Sequence, residues 1–328
     1  MTDPVDPAAH PLVVLGEVRT CLVPDSGALS RSLAADLLAL VPGRRVLFRE
    51  RPIPIAASPT TAVGVDCTLA TGTNGGVRAI GTVAVNAVVV GGRILQSSAR
   101  TMAVVAPEKR RRDWSHYLAQ VGVTEVVSKV DDTIPARLAD GFLNATPPPE
   151  TLDLSSIGER LLRRIRRDAR LDQHPPILGA TTRLRWIARI AEVPAPQVSF
   201  HVADETVRTV RVLVRDTGEL AEARRFCEDL AAHDWLLTAT AAAVEEADRF
   251  PSASSESVQI LAPVLEQLAH LWMPGAHVAE PMRVLWAQLQ QEPGFTEQWL
   301  ARIGHLRDRM TVATLAALRV SKLSTTDW

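Results

Sequence analysis

The adjacent residues His233 and Asp234 are the part of the sequence that most resembles a catalytic metal site. Metal-dependent phosphohydrolases place such a pair on a helix, because the ion needs several nitrogen and oxygen ligands. The pair lies in a predicted helix over Glu219–Phe250, where His233 falls on an apolar stripe. A histidine in such a stripe is more often a hydrogen-bonded core residue. The sequence therefore predicts no metal site, and a metal-dependent phosphoester hydrolase centred on this pair remains an alternative.

The short motifs that identify common enzymes are absent from the sequence. It contains no GxxxxGK[ST], no HExxH, no GxSxG and no GxGxxG after a strand. The three cysteines, Cys21, Cys67 and Cys227, form no CxxC pair and no disulfide framework. We therefore predict no catalytic residue and no cofactor, and a non-enzymatic protein is favoured over an enzyme.

Arginine is concentrated in the segment Glu159–Arg189, which carries nine arginines against three acidic residues, a local net charge of +6. Ser156 and Glu159 have the spacing of a capping box, which predicts an amphipathic helix over 156–171. Its polar side carries Arg163, Arg166, Arg167 and Arg170. The segment Thr217–Glu256 has the opposite local charge, −6.

These two charged segments allow three interpretations. They either pair with each other inside the fold or form two solvated faces, or the arginine helix docks on an acidic protein or a polyanion. Arginine suits docking because its planar group binds carboxylates through two hydrogen bonds. Nucleic-acid binding is less favoured, because only Trp186 interleaves with the arginines and stacking on bases needs aromatic side chains.

A second predicted interaction residue is Trp235. On the helical wheel it points away from the apolar stripe that contains His233, so its own helix does not cover it. A large aromatic side chain on an otherwise polar face is typical of a second packed layer or of a protein interface. We therefore expect Trp235, together with the arginine helix, to bind a partner.

Hydrophobic periodicity predicts an α+β protein in two domains. Residues 1–146 form a β-rich domain with a short helix, and residues 147–328 a mainly helical domain with a β hairpin near 197–215. Pro147–Pro149 is a stiff spacer at this boundary. Gly91 and Gly92 predict a tight hairpin between Val77–Val90 and Arg93–Val105, with Val89 opposite Ile94.

Composition excludes several classes of protein. The chain has 328 residues, of which 46% are hydrophobic, and its net charge of −1 excludes a strongly basic nucleic-acid binder. No apolar run reaches the ~20 residues that a transmembrane helix requires. The first ten residues lack the pattern of a signal peptide. We therefore expect a cytoplasmic protein that does not bind membranes.

Several segments together resemble an uncharacterised, conserved hypothetical family of actinobacterial cytoplasmic proteins: Gly16–Leu22, Leu37–Gly43, Gly64–Cys67, Gly91–Gln96, Trp114–Ala119 and Glu228–Leu237. The resemblance extends to about residue 245 and carries no catalytic residue with it. It implies partners of the P-loop NTPase or methyltransferase-like kind, and so an accessory role. Together with the missing motifs and the segregated charge, it favours a non-enzymatic adaptor or assembly subunit of a multi-protein system.

Overall fold

Ten strands join in one mixed sheet in the computed structural model, which describes residues 11–72, 75–108, 110–128, 130–144, 150–252 and 254–324. Together with the helices that cover the sheet, this confirms the predicted α+β class. In chain order, the strands within these ranges are β1 (Pro11–Leu22), β2 (Leu47–Arg49), β3 (Ile55–Ala57), β4 (Thr61–Ala70), β5 (Gly76–Val90), β6 (Ile94–Val105), β7 (Val123–Val126), β8 (Thr182–Ile190), β9 (Gln197–Val202) and β10 (Val207–Val214).

The strands do not follow chain order across the sheet. Their spatial order is β2-β3-β5-β7-β6-β1-β8-β10-β9, with β4 paired to β5 and β5 also paired to β6. The β6–β7 and β8–β10 pairs are parallel, and the other pairs are antiparallel. Strand β1 therefore lies inside the sheet, between β6 and β8.

Helices cover both faces of this sheet. They are α1 (Arg31–Leu38), α2 (Trp114–Leu118), α3 (Ile134–Asn144), α4 (Leu154–Arg166), α5 (Thr217–Ala247), α6 (Ser255–Gln267), α7 (Arg283–Gln291) and α8 (Phe295–Ser324). Side chains alternate along β1, so that Val13 and Leu15 pack with α3 and α4, whereas Val14 and Val18 pack with α5. Helix α1 joins α4 on the first face, and α6 to α8 add a further layer around α5.

The predicted hairpin over residues 77–105 is present, with Gly91 and Gly92 at φ values of 58° and 67°. Its register differs by one residue from the prediction, since Val89 lies opposite Leu95 instead of Ile94. The turn takes in a third residue, Arg93, whose guanidinium donates to the carbonyl oxygens of residues 25 and 26. That buried side chain holds the longer turn in place.

The sheet continues across the position of the predicted domain boundary. Strand β8 lies well beyond residue 147, yet it pairs with β1 along seven residues from Val14 to Thr20. The predicted hairpin near 197–215 is present as β9 and β10, and β10 joins the same sheet by pairing with β8. The spacer Pro147–Pro149 lies outside the described residues.

Candidate functional site

The arginine-rich helix α4 begins two residues earlier than the capping-box pattern predicts, and it ends at Arg166. Its N-cap is Asp153, whose Oδ1 accepts a hydrogen bond from the backbone N–H of Ser156 at 3.0 Å. A carboxylate at this position also suits the positive end of the helix dipole. The predicted start at Ser156 was wrong because Asp153, an equally good cap, precedes an apolar residue that the core buries, Leu154.

One side of α4 is fixed against the sheet. Leu162 and Ile165 are buried among Cys21 and Leu95. Gly158 allows the close approach, because a β-carbon there would lie 3.1 Å from Ser97 Oγ. The helix therefore has a single apolar side, which sets the direction in which its arginines point.

A charged clamp joins the first turns of α4 to β1. Arg19 binds Glu159 at 2.8 Å and donates to Ser155 Oγ at 2.7 Å. The buried Glu17 lies 3.5 Å from Arg19 and also binds Arg183 at 3.2 Å. The acidic side chains near the start of α4 are thus neutralised by arginines of the sheet.

The other side of α4 and the turn after it form a solvent-exposed surface, which we call the arginine face. It consists of Arg160, Arg163, Arg164, Arg166, Arg167 and Arg170, all of them exposed.

Two residues of the arginine face have ion pairs within the fold. Arg163 lies 3.6 Å from Glu159, and Arg170 binds Asp168 at 2.8 Å. Hydrogen bonds from Arg170 lower the pKa of Asp168 to about 2. No ion pair within the described ranges involves the other four, namely Arg160, Arg164, Arg166 and Arg167. These four arginines are therefore available to carboxylate or phosphate groups from outside.

The acidic segment Thr217–Glu256 does not neutralise the arginine face. Its carboxylates pair with arginines of its own layer or of neighbouring strands: Glu219 with Arg215, Glu222 with Arg225, Glu228 with Arg224, Asp234 with Arg208, Glu246 with Arg249 and Asp248 with Arg309. Of the three interpretations of the charge pattern, mutual pairing of the two segments is therefore wrong for these six carboxylates. The positive charge of α4 remains on the surface.

Trp235 lies in the core and is only 1% exposed. Its Nε1 donates to the carbonyl oxygen of Ala180 at 2.9 Å, and Gly179 lies against its ring. The predicted place of Trp235 on an interaction surface was therefore wrong. Helix α5 packs against the sheet on one side and against α6 to α8 on the other, so the side opposite its apolar stripe is buried as well.

Among the described tryptophans, the exposed one is Trp114, in the short helix α2, with 39% of its surface accessible. The guanidinium of Arg111 lies 5.5 Å from its ring centroid, and Leu118, one turn later, is also exposed. Trp114 was not among the interaction residues predicted from the sequence. Its exposure could have been predicted from the sequence. A helix of only five residues that follows a run of charged residues has little apolar surface with which to cover an indole ring.

His233 is held by hydrogen bonds at both ring nitrogens. Nδ1 donates to the carbonyl oxygen of Asp229 at 2.7 Å, and Nε2 accepts from the backbone N–H of Met273 at 3.1 Å. The neighbouring Asp234 binds Arg208 at 3.0 Å. Burial raises the pKa of Asp234, although Arg208 opposes that shift. His233 and Asp234, the pair on which the hydrolase alternative depends, therefore bind different partners within the fold.

Two features are absent from the residues that the structure describes. No group of three or more histidine, cysteine, aspartate or glutamate side chains within those ranges has the geometry of a metal site. No helix among them is both long enough and apolar enough to cross a membrane. The chain matches no family model, no curated protein and no solved structure.

Proposed function

We propose that this protein is a non-enzymatic cytoplasmic adaptor or assembly subunit that binds an acidic protein surface through its arginine face. The observation that supports this is that four exposed arginines of this face have no ion pair within the described part of the chain, namely Arg160, Arg164, Arg166 and Arg167. Their helix is capped, clamped and packed on its opposite side. A rigid support keeps the entropy lost on binding low.

A protein partner is favoured over a nucleic acid by the composition of α4. The helix contains no aromatic residue between its arginines, whereas single-stranded nucleic acids bind where bases stack on aromatic rings. The net charge of −1 also gives the whole molecule no attraction for a polyanion at long range. The family resemblance implies a P-loop NTPase or a methyltransferase-like protein, and these are the partners to test first.

The test compares charge reversal on the arginine face with charge reversal elsewhere. The tagged chain is purified from its native host at moderate salt, and proteins retained in stoichiometric amount are identified by mass spectrometry. We expect the triple variant Arg164→Glu, Arg166→Glu, Arg167→Glu to bind the retained protein at least about tenfold more weakly, because opposed charges become like charges. A matched control reverses three exposed arginines in other segments, Arg44, Arg249 and Arg283, and should bind normally.

Restoration of binding provides the decisive readout. Asp→Arg or Glu→Arg substitutions in the acidic patch of the retained partner should recover affinity for the triple variant. Unchanged binding of every partner by the triple variant would contradict the proposal. Tight, steeply salt-dependent binding of an RNA or DNA oligonucleotide that the same substitutions abolish would replace it with the nucleic-acid alternative.

A further inference from the structure

A cavity of about 230 Å³ lies between α1, the β2–β3 hairpin and the β5–β6 turn. Its walls are mostly apolar and include Leu29, Ala34, Phe48, Ile55, Ala56 and Val89. An engineered protein cavity of about 150 Å³ binds benzene. The cavity beside α1 is therefore large enough for a ring with a short side chain.

The rim of this cavity is charged. Arg31, Arg49 and Glu50 line it, so the rim carries one net positive charge. Arg31 and Glu50 form an ion pair that is largely exposed to solvent. The guanidinium of Arg31 also lies 4.6 Å from the ring centroid of Phe48, which holds it above the apolar wall.

The exposed ion pair has a consequence for ligand binding. An ion pair in water contributes little to stability, so a ligand carboxylate can replace Glu50 on Arg31 at small cost. The new pair would gain strength if the ligand also shielded the guanidinium from water. Arg49 would add attraction, since it lies on the same rim.

We propose that this cavity binds a small amphipathic carboxylate. The apolar body lies between α1 and β3, among Leu29, Ala34 and Ile55, and the carboxylate binds Arg31. None of these residues belongs to the arginine face, so this proposal can be tested independently of the proposed adaptor function.

Binding is measured on the full chain with 3-phenylpropionate as the probe, by methyl NMR of isoleucine, leucine and valine. We expect shift changes concentrated at Leu29, Ile55 and Val89. The uncharged analogue 3-phenylpropanol should bind several-fold more weakly than the carboxylate. In the Arg31→Gln variant, 3-phenylpropionate should bind no more tightly than 3-phenylpropanol, and the affinity for the alcohol should be unchanged. The control variant Arg44→Gln should change neither affinity.

The apolar wall is tested by filling the cavity. Ala34→Leu places three additional carbon atoms in it, and we expect at least about a tenfold loss of affinity for the probe. Ala35→Leu makes the same change at the next position of α1, which does not line the cavity, and should leave binding unchanged. If Ala34→Leu fails to fold, the comparison of Arg31→Gln with Arg44→Gln still tests whether the cavity binds the carboxylate. Absence of shift changes, shifts scattered over the surface, or equal affinity in Arg31→Gln and Arg44→Gln would overturn the proposal.

Discussion

The environment of His233 shows what this residue does in the fold. Its ring joins α5 to the segment after α6, through the carbonyl oxygen of Asp229 on one side and the N–H of Met273 on the other. The rings of Trp272 and Trp286 meet it edge to face, with centroids 5.1 and 5.3 Å away. Because Nδ1 donates one hydrogen bond and Nε2 accepts the other, these contacts select the tautomer with its proton on Nδ1.

This environment predicts the effect of removing the ring. His233→Ala leaves a cavity in the core and removes the acceptor of the Met273 N–H, so we expect the free energy of unfolding to fall by about 2–4 kcal/mol. Urea unfolding followed by circular dichroism measures the loss. His174→Ala is the matched control, since that side chain is 83% exposed and should change little. Wild-type stability combined with loss of bound transition metal in His233→Ala would instead support the hydrolase alternative.

At the scale of the elements, a single side chain caps the N-terminus of α4. Asp153 caps it, and the pKa of that carboxyl is lowered overall: burial raises it, but hydrogen bonds from Ser156 and Ser155 lower it more. The folded carboxyl therefore has a lower pKa than the same group in the unfolded chain. Its contribution to stability is present above about pH 4, the ordinary pKa of aspartate, and is lost as the pH falls through the folded value.

We therefore expect Asp153→Ala to lower the free energy of unfolding by about 1 kcal/mol at neutral pH, and by less at about pH 3. Asp153→Ser keeps an oxygen at the cap and should retain most of the stability at neutral pH. Chemical unfolding of the three proteins at both pH values gives the comparison. An equal loss in the alanine variant at both pH values would show that the charge of Asp153 does not contribute.

At the scale of the whole molecule, the sheet joins the two halves of the chain. Strand β1 has β6 on one edge and β8 on the other, and α5 packs across β1, β8 and β10. Residues before and after the predicted boundary at 146/147 therefore share one sheet and one large core cluster. Separating them would expose both the hydrogen-bonding edge of β1 and its apolar side chains.

This arrangement predicts one cooperative unfolding transition. The transition followed by far-ultraviolet circular dichroism should coincide with the transition followed by tryptophan fluorescence. Of the seven tryptophans, Trp114 lies before the boundary and the other six lie after it. The fragment 1–146 should give a poorly dispersed NMR spectrum, because it lacks β8 and α5. A well-dispersed spectrum of this fragment, or two separate transitions, would show instead that the halves fold independently.

Local patterns in the sequence determined several elements of this protein. Two adjacent glycines determined the hairpin after Val90, alternating apolar side chains determined β10, and a single apolar stripe with arginines opposite determined α4. Each of these signals lies within about a dozen residues, the range over which a helical or strand period can be read. The arginine face was predictable for the same reason, since a helix with one apolar side must turn its charges outward.

The tertiary structure decided what distant segments do to one another. Strand β8 has a clear alternation, with Leu184, Trp186 and Ala188 on one side, but its arginines were interpreted as part of the charged segment Glu159–Arg189. The burial of Trp235, the Arg208–Asp234 pair and the cavity beside α1 all depend on packing between segments far apart in the chain. The hydrophobic periodicity of the sequence shows which side of a helix or strand is apolar. Only the packed layers show how many sides are covered, because burial depends on every neighbour of a side chain and not on its own element alone.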